Sequence, residues 1–137
     1  MSTLVEFLHP AALPAAVSAG LLVLRVLLGY GLLTHGLYKV NNFAAVSENF
    51  PTMLGLSKKM SVVGAIVGEV ILNVLVIIGL FGQLAAIGVA VMFLMIYFIV
   101  HGGMAFDKRE LAYLYGIGYI ALAITGPGAY SLDALFF

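Results

Sequence analysis

The chain of 137 residues contains no cysteine. That absence excludes a disulfide framework, a Cys-x-x-Cys redox pair, covalent haem attachment and any iron–sulfur cluster held by this chain. Charge is scarce too: 9% of residues are charged, six of each sign, and the net charge is zero. A soluble domain carries about 25% charged residues, and nucleic-acid binding calls for a basic stripe. Neither is present, so no nucleic-acid partner is expected. What fills the chain instead is apolar mass, 64% against the roughly 45–50% of ordinary domains.

That mass falls into runs separated by polar links. Residues 1–16 include Pro10 and Pro14, which break a continuous helix, so an interfacial lead is expected there. Spans are expected at about 17–39, 61–81, 83–101 and 110–125, each near the roughly 20 residues that cross a bilayer. The last is about 16 residues, or about 24 Å at 1.5 Å per residue, short for a core of about 30 Å. It is therefore expected either to start nearer Asp107 or to sit where the protein is thin. Gly82 and its neighbours leave room only for an antiparallel hairpin between the second and third spans. Gly126-Pro127-Gly128 stops the fourth. The first apolar run has no basic flank and contains Arg25, so it reads as a retained span rather than a cleaved signal. The expected fold is all-α, an integral membrane four-helix bundle with antiparallel up-down order, one domain over 1–137 in contact with membrane lipid.

Four spans place both termini on one side. Lys39, Lys58, Lys59, Lys108 and Arg109 lie on the opposite, loop side. The positive-inside rule then puts the loops in the cytoplasm and the termini outside. Rows of small residues, Gly64-x-x-x-Gly68 and Gly82, Ala86, Ala90, read as places where helices approach closely.

A charged side chain at mid-membrane costs roughly 2.5–3.5 kcal/mol on the insertion scale, which makes Arg25 and Glu69 the most informative residues. Arg25, Leu28, Leu32, His35 and Lys39 follow helical spacing and share a face. An Arg25–Glu69 ion pair is expected between the first two helices, with Asn73 adding an amide. One pair suffices to lock two helices, yet His35, Lys39, His101, Glu110 and Tyr113 crowd the same half of the membrane. That excess points to a pocket for a quinone head group, which needs donors to two carbonyl oxygens and a proton relay. The expected reactive pocket is Arg25, His35, Glu69 and His101, with Lys39, Asn73, Glu110 and Tyr113 as binding residues. His35 and His101 sit on different helices in one leaflet, an arrangement that also suits haem or a two-histidine metal site. A third ligand would have to come from Glu69 or Glu110, and hydrogen bonding is the commoner fate of such histidines. The run Asp107-Lys108-Arg109-Glu110 reads as a solvated cap, with Glu110 able to turn inward beside Tyr113.

Taken in order, these elements resemble the DoxX family of small four-helix membrane proteins. The matching pieces are Leu24-Arg25-x-x-x-Gly29, His35-Gly36-x-x-Lys39, Gly68-Glu69, Gly79-Leu80, His101, Glu110 with Tyr113, and Thr125-Gly126-Pro127-Gly128-x-Tyr130-Ser131-Leu132-Asp133. The resemblance implies a bacterial inner-membrane bundle tied to oxidoreductase systems such as thiosulfate:quinone oxidoreductase. It also implies a soluble or membrane oxidoreductase partner. Members often carry a basic N-terminus and Thr-Arg after the second helix, which would place the termini inside. This chain has Gly82-Gln83 there and no Lys or Arg ahead of Arg25, so its own charges and the family habit point opposite ways.

Three functions compete at this level: a quinone-linked oxidoreductase subunit, a scaffold whose polar seam is helix glue, and a small proton or anion transporter. Four helices give little room for alternating access unless copies assemble into a homo-oligomer.

Overall fold

The structure is a computed structural model and describes residues 14–52 and 54–137. All but the last three positions of the expected interfacial lead lie outside the described residues. Among the described residues six helices follow one another: α1 (Ala15–Asn41), α2 (Phe43–Glu48), α3 (Lys58–Ile78), α4 (Gly82–Val100), α5 (Phe106–Thr125) and α6 (Leu132–Phe136). There is no strand among the described residues. Three helices, α1, α3 and α4, are long and apolar enough to cross a membrane. The remaining long helix, α5, has 20 residues, about 30 Å, because it begins at Phe106 and takes the charged run Asp107 to Glu110 into its first turns.

The ends of these helices follow from local chemistry. Pro14 stands immediately ahead of α1, where its missing N–H costs nothing. Ser57 caps α3, its hydroxyl accepting from Met60 N at 3.2 Å. Gly79 ends α3 in the left-handed region with φ of 75°, a conformation open to glycine without strain. The two helices joined there form the expected hairpin.

Successive long helices pack against one another. α1 and α3 run in opposite directions, with Lys39 beside Glu69 at one end and Arg25 beside Ile77 at the other. Glycines let them approach: a Cβ on Gly36 would lie 2.9 Å from Glu69 Cβ and 3.2 Å from its backbone carbon. α4 and α5 meet through aromatic faces, Phe93 stacking on Tyr115 at 5.5 Å and on Tyr119 at 6.2 Å. Leu32, Val76, Ala86, Val89, Tyr119 and Leu122 form the buried centre.

The tail after α5 folds back over the terminal end. Asp133 is buried there, its two carboxylate oxygens accepting from Phe81 N at 2.7 Å and Gly82 N at 2.8 Å. It thus satisfies the free N–H groups that open α4 and lies in the favourable field of that helix terminus. Asp133→Ala should lower unfolding stability by about 1–2 kcal/mol, read by thermal melting in detergent. Asp133→Asn should recover part of it.

Arg25 belongs to the same clasp, which corrects the expected Arg25–Glu69 pair. Its guanidinium donates to Ile77 O at 3.0 Å, to Pro127 O at 2.6 Å and to Tyr130 O. Ile77 lies eight residues beyond Glu69, about 12 Å along the helix, farther than the side chains span in this register. Asn73 is likewise a fastener. Its amide donates to Gly29 O at 2.8 Å and its carbonyl accepts from the Tyr119 hydroxyl, joining α1, α3 and α5.

Candidate functional site

At the loop end the carboxylate of Glu69 is paired with Lys39 instead. Lys39 Nζ donates to Oε2 at 2.8 Å and to Oε1 at 3.1 Å, and the two side chains are 18% and 7% exposed. Gly36 permits the pair, because only a glycine lets the Glu69 backbone come so near α1. The backbone at Glu69 is unusual: residues 67–72 form a π-helical turn inside α3. A second π-helical turn, Ile96–Val100, ends α4 and delivers His101. Such turns add a residue to the helical circuit and turn side chains off the regular face; they recur at functional sites.

Two cavities meet at this place. The larger, about 410 Å³, lies between α3 and α4 beneath the link after α2 and is lined by apolar side chains except for Lys39, Ser61, Glu69 and His101. The smaller, about 200 Å³, is bounded by α1, α4 and α5 and includes His35, Lys108 and Tyr115. Lys39, Glu69, Ile96 and His101 line both, so the ion pair and the imidazole form a polar wall between an apolar and a polar chamber. His101 Nδ1 is buried there without a hydrogen-bond partner among the described residues, and so is Ser61 Oγ. An orphaned buried polar atom costs about 1–3 kcal/mol. The His101 atom, on a residue that lines both cavities with the ion pair, therefore marks a place that a ligand's polar group would complete.

The structure brings His35, Lys39, Glu69 and His101 to this site and leaves out the other expected members. Arg25 and Asn73 are consumed by the fastenings described above. Glu110 and Tyr113 are exposed and line neither cavity; Tyr113 packs outside against Phe106 and Tyr97. Arg109 turns inward in their place, 4.4 Å above the Tyr97 ring. His35 sits off the buried seam of α1, which runs through Arg25, Gly29, Leu32 and Gly36, and meets Tyr115 edge-on at 6.2 Å. Tyr115 and Ser61 were not expected from the sequence. Tyr115 had a signal, lying two residues from Tyr113 on a different face of α5; Ser61 had none.

No group of three His, Cys, Asp or Glu side chains able to hold a metal occurs among the described residues. His35 and His101 therefore lack the third ligand that a metal site would need. The chamber that both histidines line is about 200 Å³.

The DoxX family profile matches residues 20–102. The match takes in Lys39, Glu69 and His101 and ends before α5 and the tail. The inner membrane protein YqjF of Escherichia coli is 29% identical over 125 residues, covering 85% of this chain and 91% of that protein. An uncharacterized protein of Haemophilus influenzae is 31% identical over 121 residues, covering 83% of this chain and 88% of its own. No solved structure matches. With three apolar helices of spanning length and a family match over more than half its residues, this membrane protein belongs to the DoxX family.

Proposed function

We propose that the protein is a bacterial inner-membrane subunit of an oxidoreductase system that holds a quinone head group at the Lys39–Glu69–His101 wall. The observation that carries this reading is the buried, unpartnered Nδ1 of His101, a residue that lines both chambers together with the ion pair. A quinone has two carbonyl oxygens and takes protons when reduced. Lys39 Nζ keeps a third N–H beyond those it gives Glu69, the His101 imidazole supplies a donor, and the Glu69 carboxylate holds the ammonium charge inside the protein. Lys108, in the first turn of α5, lines the polar chamber at the loop end, and His35 and Tyr115 line it deeper in the bundle, which gives a proton a route to that end.

In this reading α5 is the fourth span of an antiparallel up-down bundle, with its charged first turns at the interface. Lys39, Lys58, Lys59, Lys108 and Arg109 mark the cytoplasmic end, and the electron-donating partner, soluble or membrane-bound, meets the protein there. Arg25 and Asn73 serve assembly, so the scaffold role expected of the polar seam is confined to the terminal half.

Binding of a ubiquinone analogue to the protein in nanodiscs, followed by titration calorimetry, tests the reading. His101→Ala should weaken binding by about tenfold or more, the worth of one hydrogen bond of about 1.4 kcal/mol or above. Equal affinity in the wild type and the variant would remove the imidazole from the site.

A further inference from the structure

The polar wall uses one end of the larger cavity and leaves most of its volume unexplained. At about 410 Å³ it is within the size range of ligand pockets, and an unfilled void forfeits dispersion contacts along its whole lining. The room comes from Gly64, Ala65, Gly68 and Gly88. Two of these glycines also serve packing: a Cβ on Gly88 would meet Leu72 at 2.8 Å, and one on Gly68 would run into Met92. Gly64 serves none, since a Cβ there would meet nothing within 4 Å. A mid-helix glycine costs about 1 kcal/mol relative to alanine, and Gly64 is an exposed one that lines the cavity without a packing contact to serve. The rim residues Val67 and Val91 are exposed on the outer surface of α3 and α4, where the lipid chains lie. The loop end carries Ser61, which is 7% exposed and has an unpartnered hydroxyl, and His101, while Glu69 of the ion pair lines the cavity two turns deeper on α3.

A slot that is apolar along its length, open to the bilayer at its side and polar at one end has the shape of an amphiphile. We infer that this cavity binds the hydrocarbon tail of a membrane-dissolved ligand, which enters sideways between α3 and α4 and sets its polar head against Ser61, His101 and Lys39. The inference rests on the headgroup reading above and adds the class of ligand: a single apolar chain ending in hydrogen-bond acceptors. An isoprenoid quinone and a fatty acid share that chemistry.

Three probes separate the possibilities: decylubiquinone, its tail-free dimethoxy-methyl-benzoquinone ring, and oleate, each titrated into the wild type and Gly64→Phe in nanodiscs. The phenylalanine narrows the slot between Ser61 and Glu69 without replacing a polar group, and unchanged thermal melting shows that the helices stay in place. Gly64→Leu is the smaller plug if phenylalanine unfolds the protein. Gly64→Phe should weaken decylubiquinone tenfold or more and leave the tail-free ring unaffected. Binding of oleate alone, lost in Gly64→Phe, would uphold the tail site and overturn the quinone reading. Binding of the ring, with decylubiquinone bound equally by wild type and plugged variant, would overturn the tail site and uphold the headgroup reading. No binding of any probe would overturn both.

Discussion

Arg25→Leu should lower unfolding stability by about 3–5 kcal/mol, the cost of breaking a buried charged network by removing one partner. The guanidinium is 2% exposed and is shared among carbonyls of Ile77, Pro127 and Tyr130. Those three carbonyls belong to the end of α3 and to the tail, so leucine both strands them and frees the tail from the bundle. Arg25→Lys should recover only part of the loss, because one ammonium cannot reproduce a planar fork aimed at three acceptors. Denaturant unfolding in detergent reads the first effect. Proteolysis after residue 125 reads the second, with faster cleavage expected in both variants. Quinone binding by the folded protein should not change, since Arg25 sits about 12 Å along the bundle from Glu69, eight residues at 1.5 Å. A full-strength clasp in Arg25→Leu, or a loss of ligand with stability intact, would return this arginine to the pocket.

Glu69→Gln is the complementary case at the other end. It leaves the Lys39 ammonium without its carboxylate, and the expected loss is about 3 kcal/mol, the low end for breaking a buried pair. The low end applies because Lys39 keeps 18% exposure and can extend toward the loops. Replacing both partners, Lys39→Met with Glu69→Leu, should restore most of the stability, since an apolar pair avoids the desolvation of two charges. Quinone binding should be lost in the single and the double variant alike. The double variant therefore separates the roles of the pair: a stable protein that still binds quinone as tightly as the wild type would show that the pair is only helix glue.

The helices were legible in the sequence because hydropathy, glycine and proline all point the same way; Gly79 to Gly82 and Gly126 to Gly128 mark real ends. The cost of burying charge also singles out Arg25 and Glu69 as residues with partners, and both have them, though not each other. The pairing was not legible. Arg25 is satisfied by main-chain carbonyls, two of them more than 100 residues away, and no reading of side-chain types finds an acceptor that every residue carries. The register between α1 and α3 depends on Gly29 and Gly36, seven residues apart, a signal present in the sequence but overshadowed by the charged residues between and around them. His35 was assigned to the buried seam because ideal spacing leaves it close to Arg25 and Lys39; the glycines rotate the true seam away from it. The i+3 spacing of Glu110 and Tyr113 allows them to turn inward together, whereas Arg109 gains a cation–π contact with Tyr97 by taking that place. The π-helical turns that aim Glu69 and His101 at a common wall have no sequence signature at all.

The central claim is that the Lys39–Glu69–His101 wall holds a quinone. Its most direct test is organic extraction and mass analysis of the protein purified with native lipid retained, wild type beside His101→Ala. The account predicts quinone near one per chain in the wild type and a marked loss in the variant, with both proteins melting alike. Wild-type protein that carries no quinone under these conditions, or a variant that carries as much, would contradict it.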